Sequence, residues 1–143
     1  MLASDLMSTK LLTIGLEDKL SVVKEIFEKV NIHHLVVIEL GKVFGVVSDL
    51  DLFKALSPNI GKMTETLRDA ATLNKRVYHI VSRNPVVLQT TATIDEVIQV
   101  FNTHSFSCIP IVDHDMKPRG IITLRDIIKA LAERKLKLYM NSH

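Results

Sequence analysis

The sequence predicts an α/β (α+β) protein made of two tandem β-α-β-β-α repeats, packed sheet to sheet about a pseudo-twofold axis. Three observations predict it. The stretch from Gly45 to Leu56 returns from Gly120 to Leu131, 75 residues on, with Val46, Val47, Leu52 and Phe53 replaced by Ile121, Ile122, Ile127 and Ile128. Self-similarity at a fixed spacing means two copies of one structural unit. Around each copy, short β-branched runs alternate with stretches whose apolar residues recur at helical spacing. The chain is 47% apolar, yet a unit of about 50–60 residues buries too little surface to be comfortable alone. Two such units with an apolar sheet face each are therefore expected to share their burial.

The elements follow in order. Leu11-Leu12-Thr13-Ile14 reads as a strand. Leu20, Val23, Ile26, Phe27 and Val30 then form one stripe of an amphipathic helix, with Glu17, Lys24, Glu25, Glu28 and Lys29 on the other side. Leu35-Val36-Val37-Ile38 has the continuous apolar character of a strand covered on both faces. Gly41-Lys42 is expected to turn the chain into a hairpin partner, Val43 to Val47. A second helix starts at Ser48, runs to about Leu56 and is ended by Ser57-Pro58. The second copy repeats the plan: strand Val86-Val87-Leu88, a helix on Ile94, Val97, Val100 and Phe101 opened by a Thr93/Glu96 capping box, strands at Ile109 to Val112 and Gly120 to Ile122, and a helix from about Leu124. Its hairpin turn, His114 to Arg119, is one residue longer, which moves the offset between copies from 74 to 75. Between the copies, Leu67, Ala70, Ala71, Leu73 and Val77 indicate an extra connecting helix. The expected divisions are repeat 1 at 7–57, a connecting segment at 58–80 and repeat 2 at 81–133.

Composition narrows the function. The net charge of +2 is small and dispersed, with 9 Lys/Arg against 10 Asp/Glu in residues 1–75 and 9 against 6 in 76–143. That gives no electrostatic case for nucleic acid or a membrane surface. Arg134, Lys135 and Lys137 read as a solvated helix end. No apolar run approaches the ~18 residues that span a bilayer, and residues 1–14 lack the pattern of a signal peptide; the expected location is the cytoplasm. Cys108, the lone cysteine, reads as a small buried hydrophobe. His33-His34 makes a poor chelating pair because adjacent strand residues point opposite ways. No nucleophile–base pair, metal cluster or phosphate-binding glycine loop is evident, so catalysis is not expected and no metal site is assigned.

The motif that carries chemistry is Gly-h-h-[Ser/Thr]-x-x-Asp, with h apolar, at a strand-to-helix junction in both copies: Gly45…Ser48…Asp51 and Gly120…Thr123…Asp126. Either pair alone would serve as a capping box. Repetition in register, a glycine that admits close approach to the backbone, and a helix start that suits a phosphate point further. A carboxylate one turn in can accept both hydroxyls of a ribose. Phosphate donors beside a diol acceptor describe a nucleotide seat. Arg125, between Thr123 and Asp126, is a phosphate partner, whereas Asp49, between Ser48 and Asp51, repels phosphate.

The duplicated plan with these two motifs, from about Met7 to Leu131, resembles the CBS-domain family, named for cystathionine β-synthase, and specifically a stand-alone pair of such domains, a Bateman module. Ile109-Pro110 matches the family's middle-strand proline; Leu35-Val36 in the first copy does not. The resemblance implies binding of AMP, ADP, ATP or S-adenosylmethionine, with no obligatory cofactor, at composite seats. Carried over by position, the stronger seat would comprise Lys10, Leu12, Ile32, His33, Thr123, Arg125 and Asp126. The weaker would comprise Ser48, Asp51, Asn84, Val86, Phe106 and Ser107. It further implies a homodimer and a regulatory role exerted on a separate effector protein. The competing reading is a dimerisation or scaffold module whose seats are vestigial.

Overall fold

The structure, a computed structural model, describes residues 1–83 and 85–142, with the side chains of 135–140 outside the description. The chain is mixed α/β with two small sheets and divides into two compact units. One is Leu12–Pro85; the other joins Met1–Leu11 to Val86–His143.

In the Leu12–Pro85 unit the sheet order is β1-β2-β3-β4, with β4 at Ser82–Arg83. Strand β1 (Thr13–Gly15) runs parallel to β2 (His34–Glu39), which pairs antiparallel with β3 (Lys42–Ser48) from His34↔Ser48 to Glu39↔Lys42. Helix α2 (Leu20–Lys29) crosses between β1 and β2 and buries Leu20 and Val23. Helix α3 (Asp49–Ala55) follows β3 and buries Leu52. These residues form one core with Ile14, Leu35, Val37, Val47 and Val77, against which Ile26 and Phe27 pack. Lys24–Glu28 and Glu25–Lys29 pair along the exposed side of α2. Pairs at that spacing contribute only a few tenths of a kcal/mol, about 0.2–0.5 each, so the buried stripe dominates. Leu35, Val36 and Val37 are all fully buried, as a strand with both faces covered requires.

The other unit carries the sheet β5-β6-β7. Strand β5 (Leu88–Gln89) is parallel to β6 (Cys108–Val112), which pairs antiparallel with β7 (Pro118–Thr123). Helix α5 (Ile94–Thr103) buries Val97, and helix α6 (Leu124–Ser142) buries Ile127. They enclose Ile109, Ile111, Ile122, Ala92 and Ala3 of the short helix α1 (Ala3–Leu6). A register shift falls at Val37/Ile38 in one hairpin and at Ile111/Val112 in the other, so the bulge is duplicated with the fold.

Several local expectations shift. The first hairpin turns on Leu40-Gly41, both at positive φ (52° and 76°), and Lys42 already pairs with Glu39. Two positive φ angles are what a tight two-residue hairpin loop needs. The first strand of each copy starts late. The Leu11 N–H turns back to the Thr9 carbonyl, and Pro85 has no N–H to offer a ladder before Val86. The Thr93 hydroxyl accepts the Glu96 N–H at 3.2 Å, but Thr93 itself bridges to Leu2, so only half the capping box forms. The connecting helix is α4 (Leu67–Ala71), capped by a reciprocal Thr66/Asp69 box, followed by 3-10 turns Thr72–Asn74 and Val77–His79 and strand β4 (Ser82–Arg83). The Ser57 hydroxyl, foremost, holds the Asp69 carboxyl below its ordinary range, and ties α4 to the end of α3.

The repeat extends further than the motif. The Leu20 N–H donates to the Lys75 carbonyl and Lys19 bridges to Arg76; 74 residues on, the Ile94 N–H donates to the Met1 carbonyl and Thr93 bridges to Leu2. Ser82 pairs with Val46 and Ser8 with Ile121. Met1–Leu11 is therefore the counterpart of Lys75–Pro85, and each lies in the unit that holds the other copy's helices and motif.

The two motif glycines sit under these crossing segments. A Cβ on Gly45 would lie 2.3 Å from the Ser82 carbonyl oxygen, and one on Gly120 would lie 2.8 Å from that of Ser8 and 2.7 Å from Met7 Sδ. The close approach that the glycines permit is that of backbone: strand β4 at Gly45 and the Met7–Ser8 segment at Gly120. Gly45→Ala must push the β4 backbone away and is expected to destabilise the protein by about 1–3 kcal/mol in urea denaturation. Gly120→Ala, partly met by the flexible Met7 side chain, costs less. A Gly45→Ala protein as stable as the parent would show that β4 does not lie so close.

Candidate functional site

Both motifs stand where a β-strand hands over to a helix. At the first, Ser48 has extended backbone and α3 begins on the next residue. The Ser48 N–H donates to Asp51 Oδ2 at 2.9 Å and the Asp51 N–H donates to Ser48 Oγ at 3.1 Å. At the second, the Thr123 N–H and hydroxyl both donate to Asp126 Oδ2, at 2.8 and 3.1 Å, and the Asp126 N–H reaches Thr123 Oγ1 at 3.4 Å. Each carboxylate thus spends one oxygen on fixing its own helix start. Among the described residues, Oδ1 of Asp51 and of Asp126 accepts no hydrogen bond. All four side chains are half-buried, so the open oxygens belong to immobilised groups at a sheet–helix corner.

The surroundings of the two corners differ. In the Leu12–Pro85 unit, the Asp49 N–H donates to the His33 carbonyl at 3.1 Å, Asp49 Oδ2 lies 2.9 Å from His33 Nδ1, and Asp49 Oδ1 accepts the Leu50 N–H at 2.8 Å. An open groove of about 210 Å³ runs beside this corner between α2 and α3, floored by Phe27, Ile32 and Leu52 and edged by Lys24, His33 and Asp49. In the other unit the Leu124 N–H donates to the Ser107 carbonyl at 3.2 Å. Beside it, His104 stacks on Phe106 with ring centroids 5.0 Å apart. Cys108 lies buried next to this corner. Burial, helped by the negative charge of Asp126, pushes its thiol up to about 12. Burial likewise lowers His34 from the ordinary imidazole value, with Asp49 opposing.

Among the other residues singled out by sequence, Lys10 and Leu12 are exposed, Ile32 packs against the first core and Phe106 against the second, Val86 is half-buried and Ser107 exposed. Asn84 lies outside the described residues. Within each unit, the helix-to-strand junction Ile32-His33 is joined to the Ser48 corner, and Phe106-Ser107 to the Thr123 corner. Sequence reasoning missed the His33–Asp49 pair, which involves residues 16 apart, and the strands that occupy the glycine clefts. Among the described residues no cluster of His, Cys, Asp and Glu could hold a metal, and no helix is long and apolar enough to cross a membrane.

The comparisons with known proteins agree with this architecture. The family model described as CBS domain matches residues 3–58 and again 77–133. The chain belongs to the CBS-domain family and carries a pair of these domains. It is 26% identical over 135 residues to an L-aspartate semialdehyde sulfurtransferase of Methanocaldococcus jannaschii, which covers 94% of this chain and 24% of that protein. The chain spans about a third or less of the length of the curated relatives it matches. Among solved structures it is similar to the CBS domain pair of protein MJ0100 in complex with 5′-methylthioadenosine and S-adenosyl-L-methionine, with a TM-score of 0.77, 24% identity, and coverage of 94% of this chain and 98% of that one. It is also similar to CBSX2 in complex with AMP, with a TM-score of 0.73, 22% identity, and coverage of 94% and 98%; the CBSX2 protein comes from Arabidopsis thaliana.

The Cys108 environment gives a pH prediction. The unfolded thiol ionises at its ordinary value of 9.0, while the folded one keeps its proton to about 12. Stability is therefore fully present below pH 9 and lost as pH rises from 9 to 12, at up to about 1.4 kcal/mol per pH unit. Urea midpoints of the parent are expected to fall more steeply than those of Cys108→Ala between pH 9 and 11, and in parallel below pH 8. Equal slopes above pH 9 would mean that the thiol ionises in the folded protein.

Proposed function

We propose that this chain is a non-catalytic regulatory module that binds adenosine ligands and acts on a separate partner protein. The observation that carries this is the duplicated corner in which Asp51 and Asp126 are each pinned through Oδ2 and keep Oδ1 unengaged. A fixed, acceptor-only oxygen suits the hydroxyl of a ribose, and at the Thr123 corner the Arg125 N–H and guanidinium suit a phosphate. Relatives with this fold are seen in complex with AMP, 5′-methylthioadenosine and S-adenosyl-L-methionine, which supports an adenosine ligand over other diols. Binding would shift a conformational balance by no more than the ligand's differential affinity for the two states.

A homodimer is the proposed assembly. Leu50 and Phe53 of α3 are 64% and 73% exposed, and Ile128 and Leu131 of α6 are 66% and 45% exposed. Exposed apolar side chains thus recur on the matching helix of each unit, and an exposed apolar helix face is the kind of surface that twofold pairing covers. The same surface is the specific observation that favours a scaffold role.

A thermal-shift panel distinguishes the two. AMP or S-adenosylmethionine at 100 times its dissociation constant adds about 2.7 kcal/mol, which raises the melting point by roughly 5–10 °C in a domain of this size. The Asp51→Ala/Asp126→Ala protein should show no shift. Absence of a shift in the parent with every adenosine ligand would leave the scaffold role. In light scattering, the parent is expected at twice 16.1 kDa and Phe53→Glu at the monomer mass; a monomeric parent would remove the dimer.

A further inference from the structure

The two corners are built from the same motif but carry different charges, and the difference bears on which ligand each can take. The Ser48 corner reads Ser48-Asp49-Leu50-Asp51 and carries two carboxylates; the Thr123 corner reads Thr123-Leu124-Arg125-Asp126 and carries one carboxylate and one guanidinium. Asp49 is not a passive member of the first. Its Oδ1 takes the Leu50 N–H at 2.8 Å, while its own N–H is taken by the His33 carbonyl at 3.1 Å. With the Asp51 N–H on Ser48 Oγ and the Ser48 N–H on Asp51 Oδ2, every N–H from Ser48 to Asp51 is engaged inside the unit. A phosphate brought to this corner would find no free donor in the first turn and would face two carboxylates within one helical turn.

The Thr123 corner lacks this plug. Leu124 stands in the place of Asp49, and among the described residues no acceptor meets the Arg125 N–H. The exposed Arg125 side chain has no acidic partner among the described residues either. One N–H and one guanidinium are thus left for an anion, the combination that makes charge-assisted phosphate contacts.

We infer that Asp49 is a specificity-determining residue that excludes phosphate from the Ser48–Asp51 corner. That corner then takes adenosine ligands whose 5′ substituent is uncharged or cationic, a thioether or sulfonium, while the Thr123–Asp126 corner takes 5′-phosphates. This rests on the adenosine-ligand function proposed above. It assigns the two corners to two ligand classes, so the chain would respond to the ratio of phosphorylated to phosphate-free adenosine compounds.

Calorimetry of the full chain with AMP and with 5′-methylthioadenosine tests it. In the parent, AMP should fill one tight site per chain. In Asp126→Ala, or in Asp126→Asn if loss of the helix cap unfolds the alanine variant, the Ser48 corner is isolated. It should bind 5′-methylthioadenosine at least 10-fold more tightly than AMP. Adding Asp49→Leu, the residue of the other copy, should raise AMP affinity at least 10-fold there and leave 5′-methylthioadenosine within about 3-fold. Two equivalent AMP sites in the parent, or no gain of AMP affinity with Asp49→Leu, would overturn the assignment while leaving adenosine binding intact. If neither compound binds the parent, the adenosine function fails and the assignment with it.

Discussion

The structure depends on one reciprocal contact, made twice: a carboxylate one turn into a helix reaches back to the backbone N–H of the hydroxyl residue that precedes the helix. It occurs at Asp51 to Ser48 and at Asp126 to Thr123. Capping of this kind contributes about 1 kcal/mol to a helix, but its geometric effect matters more. It fixes the angle at which β3 hands over to α3 and β7 to α6, and so sets where the apolar faces of those helices meet the cores around Leu52 and Ile127. It also immobilises the carboxylate. A side chain held by one oxygen presents the other with little rotamer entropy left to lose, which favours binding through it. The structural role of the pair is thus compatible with the proposed binding role, one oxygen serving the cap and the other left for a ligand.

The glycines beside these carboxylates have an architectural task. Each lies beneath a crossing segment, β4 at Gly45 and Met7–Ser8 at Gly120, whose backbone oxygen would overlap a Cβ. The identity of the residues was legible in the sequence; the occupant of the cleft was not. Ser82 and Ser8 are distant in the chain from Gly45 and Gly120, and a close approach across such separations leaves no local periodicity. The same holds for the extent of the repeat. Met1–Leu11 and Lys75–Pro85 play equivalent parts, yet only Ser8 and Ser82 are identical in register. Their equivalence lies in backbone pairing and in the buried positions of Ala3 and Val77, which side-chain identity does not encode. Where apolar periodicity was strong, as in α2, α5, β2 and β6, the elements form where the sequence places them. Where the geometry turned on backbone donors, as at Leu40-Gly41, Leu11 and Pro85, the ends moved by one or two residues.

Duplication has kept the frame and released the charges. The bulges, caps and crossing segments recur at constant offsets, because changing any of them would disturb a packed strand. The positions between hydroxyl and carboxylate differ in charge: Asp49 is a second cap tied to His33, and its counterpart is Leu124. Two corners with one backbone geometry and different charge would let the proposed module compare related ligands. The backbone bonds that anchor these corners could not be deduced from residue types alone, since they depend on where His33 and Ser107 place their carbonyls.

The central claim is that an unengaged carboxylate oxygen at each corner receives a ribose hydroxyl. Its most direct test, at the Thr123–Asp126 corner that AMP is proposed to occupy, is the affinity of the parent chain for AMP beside that for 2′,3′-dideoxy-AMP, which keeps base and phosphate and lacks only the two hydroxyls. Loss of hydrogen bonds to a charged acceptor is worth about 1.5–3 kcal/mol, so binding should weaken by at least 10-fold. Equal affinity for the two compounds would contradict the account.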